Sequence, residues 1–464
     1  MEKGTPTQLR FPASAGFTIR ADFEGGAMSS DFGAVLLRGI DLQTGLIARL
    51  TSAIHDTRHP SYIDHSLADL LRQRIFQTAS GYADGNDANT LRHDPMFKLA
   101  VGRAPLSEGN DLASSPTLSR LENSVSRKDI YRLAQSFVDT FIASYAQAPA
   151  VIVLDMDHSE DATHGQQELA FYNHHYGSYC YLPLFLFEGL SGKLITAVLR
   201  PGKRPTGKEN AAIIRRVLDR LRVAWPETHI ILRGDGHFSN PELMALCEAD
   251  PNLDFLFGLA GNKVLSPKAK PFLEHARALH QTRSANARRL GHPEPTATRL
   301  YDDIDYQATS WPKAYRVIVK AEVMALGDNP RYVVTSLADP TPDVLYKELY
   351  CARGQDENFI KAVKNDLASD RTSDHAFLAN HLRLFYSCAA YTLIHSLREN
   401  TLVHTELAKA QPVSIILKLF KLAVRVVQYK DRIKLSLPTS CPMKEVLARV
   451  TELLYLTPRP PAPA

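Results

Sequence analysis

The sequence predicts an α/β fold in the middle of the chain, with mainly helical regions on either side. Short apolar runs at 150–155 and 229–232 each lead into acidic or polar residues, as buried strands of a parallel sheet do. A helical pattern at 209–223 separates the two runs. Two further strand-like runs, 178–188 and 193–199, flank Gly-Leu-Ser-Gly at 189–192, which predicts a hairpin.

The other elements follow from local signals. Residues 241–248 form a short helical pattern, 254–258 a strand, and 314–324 with 331–336 a strand pair. Thr341 and Pro342 predict a helix start. The first 145 residues form a separate region, with a strand at 17–23 and helices at 45–54, 66–79 and 126–145. Residues 114–123 predict another helix start, which could present a helix to DNA.

Composition places the chain among ordinary globular proteins. Its 464 residues are 44% hydrophobic and 22% charged, which excludes disordered and fibrous classes. At about 100–200 residues per domain, two to four domains are expected. No run approaches the roughly 20 apolar residues of a membrane span, and no apolar signal segment is visible at the start. Five scattered cysteines without CxxC spacing predict a reduced, cytoplasmic location.

Charge is unevenly distributed along the chain. The formal net charge is only +4, but the stretch from Lys263 to Lys320 carries eleven basic and five acidic residues. Such a stretch suits contacts with phosphates. An ordinary solvated surface is the alternative interpretation.

Acidic residues follow two of the predicted strands. Asp155 and Asp157 follow the first, and Asp235 follows the second. Ligands of open α/β sheets bind beyond the carboxyl ends of the strands, so these carboxylates would face one crevice. They could bind Mg²⁺ and support phosphodiester chemistry. They could equally be helix caps or turn residues. A glycosidase pair is disfavoured by the basic surroundings.

A third set of residues repeats at helical spacing. Tyr350, Arg353, Glu357 and Lys364 are separated by three, four and seven residues, and Lys361 falls on the same predicted stripe. An aromatic ring, a guanidinium, a carboxylate and ammonium groups on one face suit a DNA end. The alternative is an exposed helix face with i,i+4 ion pairs.

The pattern Y-x2-R-x3-E-x6-K resembles the Y-R-E-K signature of bacterial insertion-sequence transposases in the DDE superfamily. Asp157 followed by Ser159 resembles the first catalytic motif of that family, and RGDGHFSNPEL resembles the second. The resemblance extends over roughly residues 20–450. The segments at 163–184, 81–95 and 114–123 also resemble one branch of the family.

The resemblance implies a ribonuclease-H-like catalytic core with a β-rich insertion. It implies that Asp157, Asp235 and Glu357 are catalytic and bind Mg²⁺, for which Mn²⁺ may substitute. Asp155 is a competing first ligand, and Asp157 is favoured. The implied DNA contacts are Tyr350, Arg353, Lys361 and Lys364.

The expected domains follow the same scheme. Residues 1–145 would bind DNA, 146–260 and 325–385 would form the core, and 261–324 would be the basic, β-rich insertion. Residues 386–464 would be a helical region that could serve dimerisation.

The implied activity is cleavage at transposon ends and joining of the freed 3′-OH to target DNA. The expected partners are the terminal inverted repeats and target DNA, and no membrane is involved. A homodimer would handle the paired ends. For this branch the resemblance also implies a hairpin intermediate. Two rival hypotheses are an inactive relic that only binds DNA and a stand-alone metal-dependent nuclease. A tyrosine nucleophile at Tyr350 and a zinc site among His158, His164, His174 and His175 are both disfavoured.

Overall fold

The computed structural model describes residues 8–456. The N-terminal part begins with three strands, β1 (Gln8–Ser14), β2 (Phe17–Asp22) and β3 (Met28–Ser29). Six helices follow: α1 (Gly33–Thr44), α2 (Leu46–Ala53), α3 (Leu67–Ala79), α4 (Ala88–Leu91), α5 (Pro95–Val101) and α6 (Ser115–Glu122). Short 3₁₀ turns lie at Pro60–Tyr62 and Gly85–Asp87.

The middle of the chain alternates strands and helices. It contains α7 (Arg127–Ala143), β4 (Val151–His158), β5 (Asp161–Ala162), β6 (Phe171–Asn173), β7 (Ser178–Tyr181), β8 (Leu184–Glu188), β9 (Leu194–Val198), α8 (Gly207–Ala224), β10 (His229–Gly234), α9 (Pro241–Glu248) and β11 (Leu253–Leu259). It continues with α10 (Leu265–Leu290), β12 (Ala297–Tyr306), β13 (Tyr315–Met324), β14 (Gly327–Asp328) and β15 (Arg331–Thr335).

The C-terminal part is mostly helical. It contains α11 (Pro342–Val344), α12 (Gly354–Lys361), α13 (Phe377–Thr401), α14 (Pro412–Ile415), β16 (Val424–Gln428), β17 (Ile433–Ser436) and α15 (Lys444–Leu456). Turns of π-helix lie at Leu345–Tyr350, Ala362–Asp366 and Ile416–Phe420, and a 3₁₀ turn lies at Cys351–Arg353.

The chain divides into two compact units. The first comprises the residues up to Val125, Asp366–Arg371 and the residues from Ala389 onward, and the second comprises Ser126–Asn365 and Thr372–Cys388. Helix α7, which we expected in the N-terminal region, belongs to the second unit. The functional division into a DNA-binding region, core, insertion and C-terminal region stays a prediction.

The second unit is built on a large mixed sheet. Its strand order is β12-β13-β15-β11-β10-β4-β8-β9, with β14 paired to β13. Strand β10 is parallel to β4 and β11, whereas β8 and β9 continue from β4 as an antiparallel hairpin. The predicted α/β character is therefore confirmed, and the strands at 150–155, 229–232 and 254–258 lie next to one another in the sheet.

Capped helices cover this sheet. Helix α7 starts with a capping box of Ser126 and Asp129, and α8 starts with a capping box of Thr206 and Glu209. The apolar faces of both helices join the strands in one core, whose buried members include Ile214 and Leu221. This core fixes the carboxyl ends of the central strands, where the acidic residues lie.

The prediction of a β-rich insertion at 261–324 is partly wrong. Residues 265–290 form the long helix α10, and only β12 and β13 are strands, which extend the main sheet. The buried residues Leu265, Ala269, Leu273 and Ala276 recur at spacings of four, four and three, the period of a helix. The many charged residues of this segment obscure that period in the sequence.

The first unit is helical with two small sheets. Strands β1 and β2 pair with each other, and β3 joins β16 and β17 in a second sheet. The two C-terminal strands were not predicted, although Val424 and Val426 are buried around the exposed Arg425 in strand-like alternation. The buried Asp31 is held by Lys421 at 2.6 Å and by the Tyr82 hydroxyl at 2.8 Å.

The cysteines are all free thiols, four of them buried and Cys351 exposed. No helix within residues 8–456 combines the length and the apolar character needed to cross a membrane.

Candidate active site

Asp157 and Asp235 lie side by side at the ends of two parallel strands. In the register of β4 and β10, Asp155 is opposite Arg233 and Met156 is opposite Gly234. Asp157 is the next residue after Met156, and Asp235 is the next residue after Gly234. Because residues in register on parallel strands share a face, both carboxylates lie at the same edge of the sheet. The strand register therefore brings these two residues together, as the sequence predicts.

The turn after β10 is closely packed beneath the pair. The Phe238 ring is fully buried, and a Cβ atom at Gly234 would lie only 2.7 Å from it. The His158 ring stacks on the Phe238 ring, with centroids 5.1 Å apart and planes inclined by 6°. The phenylalanine thus fixes the backbone on which Asp235 and His158 stand.

The two carboxyl groups differ in their pKa. Burial raises the pKa of Asp157 to about 6, the nearby Arg353 opposes this, and the charge of Asp235 adds to it. Burial would also raise the pKa of Asp235, but its hydrogen bonds and ion pair with His237 bring that pKa below the usual value. The His237 Nδ1 to Asp235 Oδ2 distance is 3.0 Å. At neutral pH the site therefore carries two close negative charges, a suitable environment for a divalent cation.

Arg353 provides the positive charge at this site. Its Nη1 donates to Asp157 Oδ2 at 2.9 Å, and both side chains are mostly buried. Arg353 reaches the pair from the segment that packs against the sheet, since α12 contacts β4 and β8. Of the predicted stripe, this residue has the most direct contact with the aspartates.

Asp155 has a different role from Asp157. Its two oxygens accept hydrogen bonds from Arg233 Nε at 2.5 Å and Arg233 Nη2 at 2.6 Å, and both side chains are buried. Arg233 also donates to the backbone carbonyl of Leu349. Both carboxylate oxygens are thus used in a buried structural ion pair, which supports Asp157 over Asp155 as the functional residue.

The predicted stripe lies on an irregular helix. Residues 342–366 pass from α11 into a π-helical segment, a 3₁₀ turn, α12 and a second π-helical segment. Tyr350 ends the first π segment and lies against β11, where a Cβ atom at Gly258 would be 2.5 Å from the Tyr350 hydroxyl. Burial raises the pKa of Tyr350. Single π turns in helices are frequent at functional sites.

The remaining stripe residues are not gathered at the aspartate pair. The Glu357 side chain is 57% exposed and lies 3.9 Å from Lys361, which is the i,i+4 ion pair of the alternative interpretation. Lys364 donates to the backbone carbonyl of Glu160. Within residues 8–456, no group of three or more His, Cys, Asp or Glu side chains is arranged to hold a metal ion.

Asp356 is a further acidic residue near the aspartate pair and was not predicted from the sequence. Its side chain is fully buried, and neither carboxylate oxygen has a hydrogen-bond partner within the described part of the chain. Burial, together with the charges of Asp155 and Asp157, raises its pKa well above the usual value. Its position three residues after Arg353 was the available signal, because i,i+3 neighbours share a helix face.

A family model described as Transposase DDE domain group 1 matches residues 11–458, nearly the whole chain. The chain belongs to the DDE transposase family. The predicted family is thereby confirmed, whereas its Y-R-E-K branch stays a prediction. No curated protein matches.

Seven chains of solved structures are also similar to this transposase-family protein. One is in the cryo-EM structure of a piggyBac transposase synaptic complex with hairpin DNA, with 12% identity, 83% of this chain and 78% of that chain covered, and a TM-score of 0.43. The family assignment rests on the sequence match and not on this structure.

Proposed function

We propose that the protein is a DNA transposase that cleaves at the ends of its element and joins the freed 3′-OH ends to target DNA. The observation that supports this most is the pairing of Asp157 and Asp235 at register-matched ends of β4 and β10. Two carboxylates at one edge of a sheet, beside a buried guanidinium, suit the transfer of a phosphodiester.

We interpret residues 146–260 and 325–385, most of which lie in the second unit, as a ribonuclease-H-like core. In support, the five strands β9-β8-β4-β10-β11 form an antiparallel meander extended by two parallel strands. Helices α8 and α9 connect the parallel part. In this proposal residues 1–145 bind DNA, 146–260 and 325–385 act as the core, and 386–464 contribute to dimerisation.

The donor set fits a hard divalent cation in part. Asp157 and Asp235 offer oxygens close enough to repel each other, which is the environment that Mg²⁺, or Mn²⁺ in its place, neutralises. We propose Glu357 as the third ligand, which requires its exposed carboxylate to turn toward the pair. The bound ion would supply charge stabilisation at the attacking and leaving oxygens of the phosphodiester.

The chain's own residues would position the DNA. Arg353, Lys361 and Lys364 would hold phosphates of the element end, and Tyr350 would contact a base. In cleavage, a water oxygen attacks the phosphorus, the bond to the element's 3′ oxygen breaks, and that oxygen takes up a proton. In joining, this 3′-OH attacks a target phosphorus and displaces a target 3′ oxygen, so no covalent enzyme–DNA bond forms.

The same proposal extends to assembly and location. A homodimer would bring two terminal inverted repeats together. At the excised end the freed 3′-OH would attack the opposite strand and displace the 3′ oxygen of the flanking DNA, which forms a hairpin. Water would then cleave the new phosphodiester and restore the 3′-OH before joining. The protein would act in the bacterial cytoplasm, where it meets chromosomal DNA.

Strand cleavage tests the proposal. Linear DNA carrying the gene's own flanking sequences is incubated with wild type and Glu357→Ala in Mg²⁺, Mn²⁺ or EDTA. Glu274→Ala is a matched control, because Glu274 is 56% exposed and lies 3.8 Å from Lys270 at i,i+4, much as Glu357 does with Lys361.

We expect metal-dependent cuts at the element boundary with wild type and Glu274→Ala, and none with Glu357→Ala, which still binds DNA. Specific binding without a cut by any of the three proteins would instead indicate a DNA-binding relic. Cuts by all three proteins would mean that Glu357 is not a required ligand of the proposed metal site.

A further inference from the structure

A cavity of about 440 Å³ opens next to the two aspartates, entirely within the second unit. His158, which follows Asp157, and His237, two residues after Asp235, form part of its wall. The remaining wall comes from the hairpin of β6 and β7 and from the loop between β9 and α8. We name this cavity the ring pocket.

Aromatic rings dominate the hairpin side of the ring pocket. Tyr172 and Tyr176 line it and are 47% and 39% exposed. Each meets a neighbouring imidazole edge-on: Tyr172 and His174 at 81°, Tyr176 and His175 at 83°. Tyr172 also meets Tyr179 at 69°. A T-shaped contact covers one face of only one of its two rings, and both tyrosines remain substantially exposed, so this wall offers stacking surface to a planar group.

Positive charge also lines the ring pocket. Lys203 and Arg204 line the ring pocket and are exposed. Neither forms an ion pair with a carboxylate of residues 8–456, whereas most arginines of the second unit are paired. Lys203 Nζ lies 4.0 Å from the centre of the Phe171 ring, which holds the ammonium at the pocket without neutralising it. The two cations are thus available to a phosphate.

His158 adds a polar atom to the wall. Nε2 of His158 is buried and has no hydrogen-bond partner in the described part of the chain, while the ring itself is fixed by stacking on Phe238. A ligand able to hydrogen-bond at the base of the ring pocket would satisfy this nitrogen. A metal ion fits less well, since no cluster of three or more His, Cys, Asp or Glu in residues 8–456 has the required arrangement.

We propose that the ring pocket binds one unstacked nucleotide of the DNA substrate. The base would stack on Tyr172 or Tyr176, and the adjoining phosphate would lie at Lys203 and Arg204. Stacking combined with a cationic track is how proteins hold unpaired nucleotides without reading a duplex. This inference rests on the proposed function, because it places the nucleotide next to the phosphodiester that Asp157 and Asp235 would process.

Binding and photo-crosslinking test the proposal in EDTA, where no cleavage occurs. The probes are duplexes of the gene's flanking DNA, either blunt or with a short single-stranded overhang containing 5-iodouracil at the element boundary. The variants are Tyr172→Ala, Tyr172→Phe, Tyr176→Ala and Arg204→Ala. Val223→Ala and Arg215→Ala are controls, since both residues are exposed in the same unit and lie outside the ring pocket.

We expect wild type to prefer the overhang by about tenfold and to crosslink at Tyr172 or Tyr176. The alanine variants of these two tyrosines should lose most of that preference, while Tyr172→Phe and both controls keep it. Equal binding of blunt and overhang DNA by wild type, or an unchanged preference in all variants, would overturn the proposal. Cleavage in Mg²⁺ is scored separately, so a protein that binds the overhang but never cuts contradicts the proposed function and not the ring pocket.

Discussion

Arg353 Nη1 lies 2.9 Å from Asp157 Oδ2, so a proposed DNA contact holds an oxygen of a proposed metal ligand. A cation bound between Asp157 and Asp235 would compete with this guanidinium for the same carboxylate. The contact would therefore couple metal binding to the release of Arg353, which could then turn to a DNA phosphate.

The first prediction concerns this competition. Arg353→Gln should bind Mn²⁺ more tightly by roughly tenfold, because the variant removes both a positive charge and a competing donor. Calorimetry at pH 8, where Asp157 is ionised, measures the affinity. Arg215→Gln, which changes an exposed residue on α8, is the control. Weaker Mn²⁺ binding by Arg353→Gln would mean that Arg353 supports the site and does not compete for it.

The second prediction uses the raised pKa of Asp157. Between about pH 4 and pH 6 the unfolded chain loses this proton while the folded chain keeps it, so the free energy of unfolding falls as the pH rises. Above pH 6 the full cost, at most about 3 kcal/mol, is present. Asp157→Asn removes it, so this variant should unfold at a higher temperature than wild type at pH 8, and without that advantage at pH 4.

Thermal unfolding in EDTA at both pH values measures the effect. Asp219→Asn, at an exposed position of α8, should show no such pH-dependent gain. A lower unfolding temperature of Asp157→Asn at pH 8 would mean that the attraction of Arg353 outweighs burial and the repulsion of Asp235.

Much of this site could be predicted from the sequence, because its strands are continuous apolar runs. The runs ending near Asp157 and Asp235 are buried on both faces, and such strands pair in parallel at the centre of an α/β sheet. Register then follows from packing and brings the two aspartates together. The ion pair between Asp155 and Arg233 could not be predicted from the sequence, because it forms only when β10 lies beside β4.

The stripe was harder to predict because its helix is irregular. A uniform α-helix would align Tyr350, Arg353 and Glu357 on one face. The 3₁₀ turn at Cys351–Arg353 and the π segments on either side change the angular step per residue. As a result Asp356 is buried and Glu357 is exposed, although the i,i+3 and i,i+4 spacings from Arg353 place both residues on the same helix face.

The third prediction separates the two aspartates of β4. Asp155→Asn should lower the free energy of unfolding by about 3–5 kcal/mol, because it leaves the guanidinium of Arg233 buried without its counter-charge. Asp157→Asn acts in the opposite direction at the same pH. Denaturant unfolding at pH 8 compares the two variants.

The double variant Asp155→Leu with Arg233→Met is the control, since it removes both charges and should recover most of the lost stability. If Asp155→Asn costs less than about 1 kcal/mol, the pair is not a structural anchor of this strand edge.

The fourth prediction concerns the contact between Tyr350 and Gly258. In Gly258→Ala the new methyl group would meet the Tyr350 hydroxyl at 2.5 Å, so the tyrosine must move away from its place beside the aspartates. We expect strand cleavage to fall about tenfold or more. Adding Tyr350→Phe removes the hydroxyl and should restore part of the activity, while Tyr350→Phe alone keeps the ring and most of the function.

The recovery should be incomplete for a second steric reason. The same methyl group would lie 3.0 Å from the Gly236 backbone nitrogen, in the turn that carries Asp235, and this contact persists without the hydroxyl. Cleavage rates of the four proteins, with thermal unfolding as a check on folding, give the coupling between the two positions. If the double variant is as inactive as Gly258→Ala, the damage comes from the Asp235 turn, and the position of Tyr350 does not limit cleavage.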